Sequence, residues 1–315
     1  MPTLKHTVKI SGRGIHSGLP AHMTLRPRRT PGIFFVRTDV PNAPQIPATY
    51  DHVGDTKLRN TTIGTAPHQV QTVEHLMAAL LLAGVDAATI EIDGPETPIC
   101  DGSARVFLDA IRRAGVTDGK MQRIIVRRPV TVSQREALRQ LPWRQRMMVW
   151  LMNKIQHRRS DGFVRLSPGD AHTLRVRATL VYPEKIIGHQ TYEYAFDGSA
   201  AAGAAFDADV SAARTFGKFS EWEYLKRHGM GRGADETNVI ALNDAGDGTL
   251  NPLYWPDEFV RHKVIDALGD MYTSGGLVCG FLESYKGSHA LNNLVLKKLF
   301  SDPANYDIVD DEPKR

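Results

Sequence analysis

The stretch Asp257-Glu258-Phe259-Val260-Arg261-His262-Lys263-Val264-Ile265-Asp266-Ala267-Leu268-Gly269-Asp270-Met271-Tyr272-Thr273 carries Phe259, Val260, Val264, Ile265, Leu268, Met271 and Tyr272 at helical spacing. That recurrence predicts a helix, and Gly275-Gly276 closes it. A strand is predicted over Leu277 to Tyr285, after which Gly287-Ser288-His289-Ala290 turns the chain into a further helix, Leu291 to Phe300. The same order stands earlier. Val73 to Ala83 predicts a helix with Thr72 as its N-cap, Glu74 in its first turn and Gly84 as its stop. A strand over Ala88 to Ile92 follows, then the Pro-bearing loop Gly94 to Pro98, the turn Asp101-Gly102-Ser103-Ala104 and a second helix to about Ala114. His75 stands 28 positions before Ser103, and His262 stands 26 before Ser288. Two passes through the same series argue for an α+β fold of two duplicated domains.

Working outward, Thr7-Val8-Lys9-Ile10, Met23-Thr24-Leu25 and Ile33-Phe34-Phe35-Val36 alternate between turns such as Gly12-Arg13-Gly14 and Arg26-Pro27. They predict an antiparallel sheet ahead of the first helix. The domains are expected at residues 1–118 and 122–303, with a polar tail over 304–315. One segment fits neither copy. Residues 134–160 set Arg135, Arg139, Arg144, Arg146, Lys154, Arg158 and Arg159 around Trp143, Trp150 and several methionines. That composition resembles an interfacial helix, with an insertion packed on its own domain as the plainer reading.

The 315 residues carry 39 Lys and Arg against 35 Asp and Glu, a net +4 that cannot by itself argue for nucleic acid. Hydrophobic residues at 42% and charged residues at 23% exclude disordered and fibrous classes. At this length roughly three quarters of the unfolded surface can be buried, so no disulfide or structural metal is needed to hold the fold. Cys100 and Cys279 are the only cysteines, which excludes a disulfide scaffold and suits a reducing, cytoplasmic setting. No secretory pattern opens the chain and no run of 18 apolar residues occurs, so no membrane span is expected.

The chemistry concentrates on a few positions. His262 and Asp266 are one helical turn apart, so imidazole and carboxylate converge, and Asp270 extends the stripe. Burying three ionisable groups on an apolar helix is costly unless they pair or bind metal. An isolated pair of this kind also fits a solvent-facing helix; the apolar flanks weigh against that. Catalytic zinc needs a third ligand and an open position. His75 is the candidate, because it opens the equivalent helix of the first copy. Glu74 would then lie beside the metal without binding it, as a general base must. His289 closes the second Gly-Ser turn, where Asp270 could favour its charged form against the helix dipole. Taken singly, His75 also fits a cap or core residue, and His289 a solvated turn.

Taken together, these residues resemble a known family. The matching pieces are Gly12-Arg13-Gly14-Ile15-His16-Ser17-Gly18, Arg37-Thr38-Asp39, Thr72-Val73-Glu74-His75-Leu76, Pro98-Ile99-Cys100-Asp101-Gly102-Ser103-Ala104 and Arg214-Thr215-Phe216-Gly217. Phe259-Val260-Arg261-His262-Lys263, Asp266-Ala267-Leu268-Gly269-Asp270 and His289-Ala290-Leu291-Asn292-Asn293 complete the series. In order and spacing the chain resembles the zinc-dependent UDP-3-O-acyl-N-acetylglucosamine deacetylases, which remove acetate early in lipid A synthesis, over nearly its whole length. The resemblance implies two α+β domains with helices sandwiched between two sheets, and one Zn²⁺ (or Fe²⁺) on His75, His262 and Asp266. It implies Glu74 as the base that activates the attacking water, His289 as the acid for the departing amine, Asp270 as its orienting group and Thr215 as the oxyanion donor. Phe216, Lys263, Glu221 and Leu58 would contact the UDP-linked acylated amino-sugar. The segment 134–160 is longer than the family leads one to expect, and residues 231–236 are more polar near the expected acyl channel. Peripheral contact with the inner membrane is expected of the first, and no nucleic-acid partner is expected. A zinc amidohydrolase for another acylated sugar, or a basic nucleic-acid-binding module, are the competing readings.

Overall fold

The structure is a computed structural model and describes residues 1–54, 59–139, 143, 147, 161–227 and 229–309. Its strand order makes the duplication explicit. In the first half, β1 (Val8–Arg13) pairs antiparallel with β2 (Pro20–Pro27), and β3 (Gly32–Arg37) with the short β4 (Ile46–Pro47). After helix α1 (Glu74–Leu82), strand β5 (Ala87–Ile92) inserts between these hairpins, antiparallel to β2 and parallel to β3. Helix α2 (Arg105–Ala114) closes the half.

The second half repeats the plan. Strand β6 (Arg123–Val126) precedes β7 (Val130–Ser133), helix α3 (Gln134–Arg139) and β8 (Phe163–Ser167), and β7 pairs antiparallel with β8. Strands β9 (Leu174–Val181) and β10 (His189–Phe196) form the next hairpin. After α4 (Ala200–Asp209), β11 (Phe216–Lys218), α5 (Phe219–Arg227) and β12 (Ile240–Leu242), the chain enters the long helix α6 (Glu258–Tyr272). Strand β13 (Leu277–Tyr285) then inserts antiparallel to β8 and parallel to β9, and α7 (His289–Phe300) follows. In each half the strand after the central helix therefore sits between the second strand of one hairpin and the first strand of the next.

Helix α1 is buried because it is apolar after Glu74 and His75, whereas α6 buries Glu258, His262, Asp266 and Asp270 as well, each with a polar partner. Every residue of α1 is buried, as are all but Arg261 and Lys263 of α6. They pack against one another within one core that takes Ile33, Phe35 and Ile90 from the first sheet and Val164, Val176 and Leu282 from the second. Gly269 is what allows their closest approach: a Cβ there would overlap the backbone carbonyl of Glu74. The result is the expected α+β arrangement of two sheets enclosing helices.

Three expectations change. Segment 32–37 is not a purely antiparallel neighbour of β2, because β5 separates the two and pairs parallel with β3. Thr72 is not the N-cap of α1. The cap is Val73, without a side-chain bond, while Thr72 adopts φ +58° and sends its hydroxyl to Glu96 Oε1 at 2.9 Å. A β-branched residue in the left-handed region is uncommon and marks a turn held by its surroundings. Finally, the segment expected as a polar tail from 304 contains a strand: Tyr306–Val309 form β14, antiparallel to β6 at the sheet edge. Of the basic segment 134–160, only α3 and residues 143 and 147 lie among the described residues.

Candidate active site

Helix α1 begins with Glu74 and His75, and α6 presents His262 and Asp266 one turn apart from the opposite side. Although 75 and 262 are far apart in sequence, their imidazole centroids lie 4.9 Å apart, edge to face. His75 Nε2 is 3.6 Å and His262 Nε2 3.4 Å from Asp266 Oδ1, and one ligand atom from each residue lies within 4.8 Å of the others. All three residues are buried, and Asp266 Oδ1 has no hydrogen-bond partner. A buried, unbonded carboxylate oxygen is costly unless a cation faces it. His262 donates Nδ1–H to the carbonyl of Ala213 at 3.0 Å, which leaves Nε2 as the free lone pair. Burial first, opposed by Asp266, brings the His262 pKa down to about 3, so its ring is neutral and able to ligate. Burial would raise the Asp266 pKa, yet the Lys263 ammonium (Nζ to Oδ2, 2.7 Å) leads the interactions that hold it well below the usual carboxylate range. These residues can hold a metal ion.

Two further groups face the cluster, and the pKa of each is raised. Burial pushes Glu74 up from the ordinary carboxylate range, and Thr61 N–H donates to its Oε2 at 2.9 Å. His289 stands at the N-terminus of α7, where Ser288 caps the helix. Burial alone would lower its pKa, but Asp270 and then Glu74 outweigh it and raise it to about 9. Asp270 Oδ2 accepts His289 Nδ1–H and Asn292 Nδ2–H, both at 2.8 Å, and Asp270 Oδ1 accepts the Thr61 hydroxyl. A carboxyl raised by burial and an imidazole raised by carboxylates form a base and an acid able to work at one pH.

A cavity of about 780 Å³ opens from this floor. Ile15, Ile99, Trp222, Leu225, Ala234 and Val239 give it apolar walls. Beyond Thr215, Phe216 and Lys263 it meets a second, more polar cavity of about 1350 Å³ bordered by Arg59, Lys218 and Lys286. Lys263 Nζ lies 5.5 Å from the Phe216 ring centroid, within cation–π reach. Thr215 and Phe216 line both cavities; Glu221 does too, 3.4 Å from Arg59.

Every site position read from the sequence thus converges here except Leu58, which lies outside the described residues. Sequence reading assigned no role to Thr61, Asn292 or the Ala213 carbonyl, which orient Asp270, Glu74 and His262. Asn292 follows His289 by three positions, one helical turn, which was the one local signal for it. Nothing in the local sequence pointed to Thr61, 209 residues from Asp270.

Comparison with known proteins places the chain in a family. A family model described as "LpxC: UDP-3-O-acyl N-acetylglycosamine deacetylase" matches residues 1–149 and 139–301, the two matches meeting inside the basic segment. A UDP-3-O-acyl-N-acetylglucosamine deacetylase of Myxococcus xanthus (strain DK1622) is 37% identical over 312 residues, covering 98% of this chain and 88% of that protein. The protein of the same description from Neisseria meningitidis serogroup B (strain ATCC BAA-335 / MC58) is 33% identical over 313 residues, covering 98% of this chain and 92% of its own length.

Proposed function

Because the chain belongs to the UDP-3-O-acyl N-acetylglycosamine deacetylase family, we propose that His75, His262 and Asp266 hold one zinc ion at the centre of that reaction. The enzyme is a hydrolase that converts the 2-acetamido group of UDP-3-O-acyl-N-acetylglucosamine to a free amine and acetate, an early step of lipid A biosynthesis. The observation that carries the metal assignment is the unbonded, buried Oδ1 of Asp266 facing two imidazole nitrogens. Two imidazole nitrogens and one carboxylate oxygen suit zinc and leave room for a further ligand; iron(II) accepts the same donors. When bound, such an ion lowers the pKa of water to roughly 7 and polarises an amide carbonyl.

An amide is a weak electrophile with a poor leaving group, so the remaining groups must supply two proton transfers and charge stabilisation. Glu74 takes the proton from water as it attacks the acetamide carbon. The Thr215 hydroxyl donates to the oxygen on which charge develops, a contact typically worth about 3 kcal/mol. His289 gives its proton to the departing nitrogen, while Asp270 holds Nδ1 and offsets the positive ring. Each proton transfer contributes roughly 10²–10⁴-fold. Lys263 and Phe216 border the place where sugar and phosphates meet, Glu221 lies at the rim near Arg59, and Leu58 is assigned to substrate binding by family likeness alone. The apolar cavity takes the 3-O-acyl chain. The enzyme works in the cytoplasm, and residues 134–160 touch the inner membrane peripherally. Among the described residues, no helix is long and apolar enough to cross a membrane.

Metal analysis joined to acetate release tests the reading. One zinc per chain and equal yields of acetate and free amine from the UDP-sugar are expected. Hydrolysis of a different acylated sugar in a substrate panel, with this one untouched, would favour the closest alternative, since that enzyme would share the same metal residues.

A further inference from the structure

Glu96 is only 1% exposed, lies outside the metal cluster and takes no part in the chemistry above. Its carboxylate is nevertheless the hub of two walls. Oε1 accepts the His16 N–H and the Thr72 hydroxyl, each at 2.9 Å; Oε2 accepts the Ser17 N–H at 2.9 Å and the Ser17 hydroxyl at 2.8 Å. Successive amides at 16 and 17 converge on one anion, as backbone nests do. The turn fits around it because position 14 is glycine: a Cβ there would collide with Glu96 Oε2 and Ser17 Oγ.

The same turn is held from its other side. The carbonyls of Ile15 and His16 accept the N–H groups of Gly233 at 3.0 Å and Arg232 at 3.2 Å. Ile15 and His16, with Gly231 and Ala234, line the apolar cavity. Thr72, the third partner of Glu96, sits at φ +58° and leads directly into Val73, Glu74 and His75. A single buried carboxylate therefore ties the start of the catalytic helix to the apolar wall.

We propose that Glu96 is a positioning residue that sets acyl-chain specificity, by fixing the distance between the Glu74–His75 turn and the cavity wall built from residues 15–16 and 231–234. This rests on the deacetylase reading given above. Depth in an apolar pocket is read in methylene steps, each discriminating by about tenfold or more when the walls are fixed. Walls that shift relative to the reacting centre lose that discrimination first, in KM.

The test is kcat and KM for a series of UDP-3-O-acyl-N-acetylglucosamines differing by two carbons, in wild type, Glu96→Gln and Ser17→Ala. Glu96→Gln keeps the side-chain size but sets an amide N–H against groups that already donate. The ratio of kcat/KM between the preferred chain and its neighbours should fall about tenfold, through KM, with zinc content retained. Ser17→Ala removes one contact of the hub and should move the ratio the same way by about threefold. A uniform loss across the series, or an unchanged ratio, overturns the inference while wild-type activity keeps the deacetylase reading intact. If Glu96→Gln does not fold, Ser17→Ala decides by the same ratio. Wild-type protein that releases no acetate at any chain length overturns both.

Discussion

His289 and Asp270 face each other across the gap between α7 and α6, with Nδ1 and Oδ2 at 2.8 Å, and Thr61 and Asn292 hold the same carboxylate. The carboxylate has no freedom to turn away, so its charge is spent on the imidazole.

The His289 pKa is raised from 6.5 to about 9, so the proton it donates is present at neutral pH and lost as pH rises through that value. In kcat measured from pH 5 to 11, His289→Ala should lower the rate by about 10²-fold or more and remove the alkaline limb. Asp270→Asn should shift that limb toward lower pH. An alkaline limb that survives in His289→Ala would place the acid elsewhere.

Glu74 makes the complementary case. Its pKa is raised by burial, so activity should climb with pH through a value above the ordinary carboxylate range. Glu74→Gln keeps the acceptor for the Thr61 amide and should keep its zinc, yet lose at least about 10²-fold in kcat. Loss of metal in this variant would make Glu74 a ligand instead.

Metal should also report on stability. An ion that binds only the folded chain adds about 2.7 kcal/mol at a hundred times its Kd. Thermal unfolding should therefore move upward on zinc addition and downward on chelation. Asp266→Asn should abolish the shift, and a shift retained in that variant would mean the ion sits at another place.

Gly269→Ala probes the packing that supports the site. The added methyl meets the Glu74 backbone carbonyl, which belongs to a buried helix and cannot yield easily. Destabilisation of about 1–3 kcal/mol is expected, with weaker zinc retention. Denaturant midpoints and metal content near wild type would show that α1 and α6 can separate without consequence.

The basic segment has its own test. Deleting residues 140–160 should reduce sedimentation with anionic phospholipid vesicles. Binding equal to that of the full chain would remove the membrane role.

Much of this was legible in the sequence, for identifiable reasons. The apolar spacing of 259–272 and the Gly-Ser turn before His289 are local patterns, and local physics fixes them. The pairing of His262 with Asp266 follows from helix geometry alone. What the chain order hides is anything decided at long range. That β5 enters parallel to β3 depends on the crossover through α1, and no residue of either strand announces it. Thr72 has an N-cap's chemistry, but its hydroxyl bonds to Glu96 instead of to the helix it precedes. Thr61 reaches Asp270 through a loop with no periodicity.

The cluster draws one donor from α1 and two from α6, helices that hold equivalent places in the two repeats. An ion lodged there acts as a rivet across the seam between them. Stripping it would loosen the seam as well as silence the reaction, so proteases should find the demetallated enzyme sooner than the loaded one.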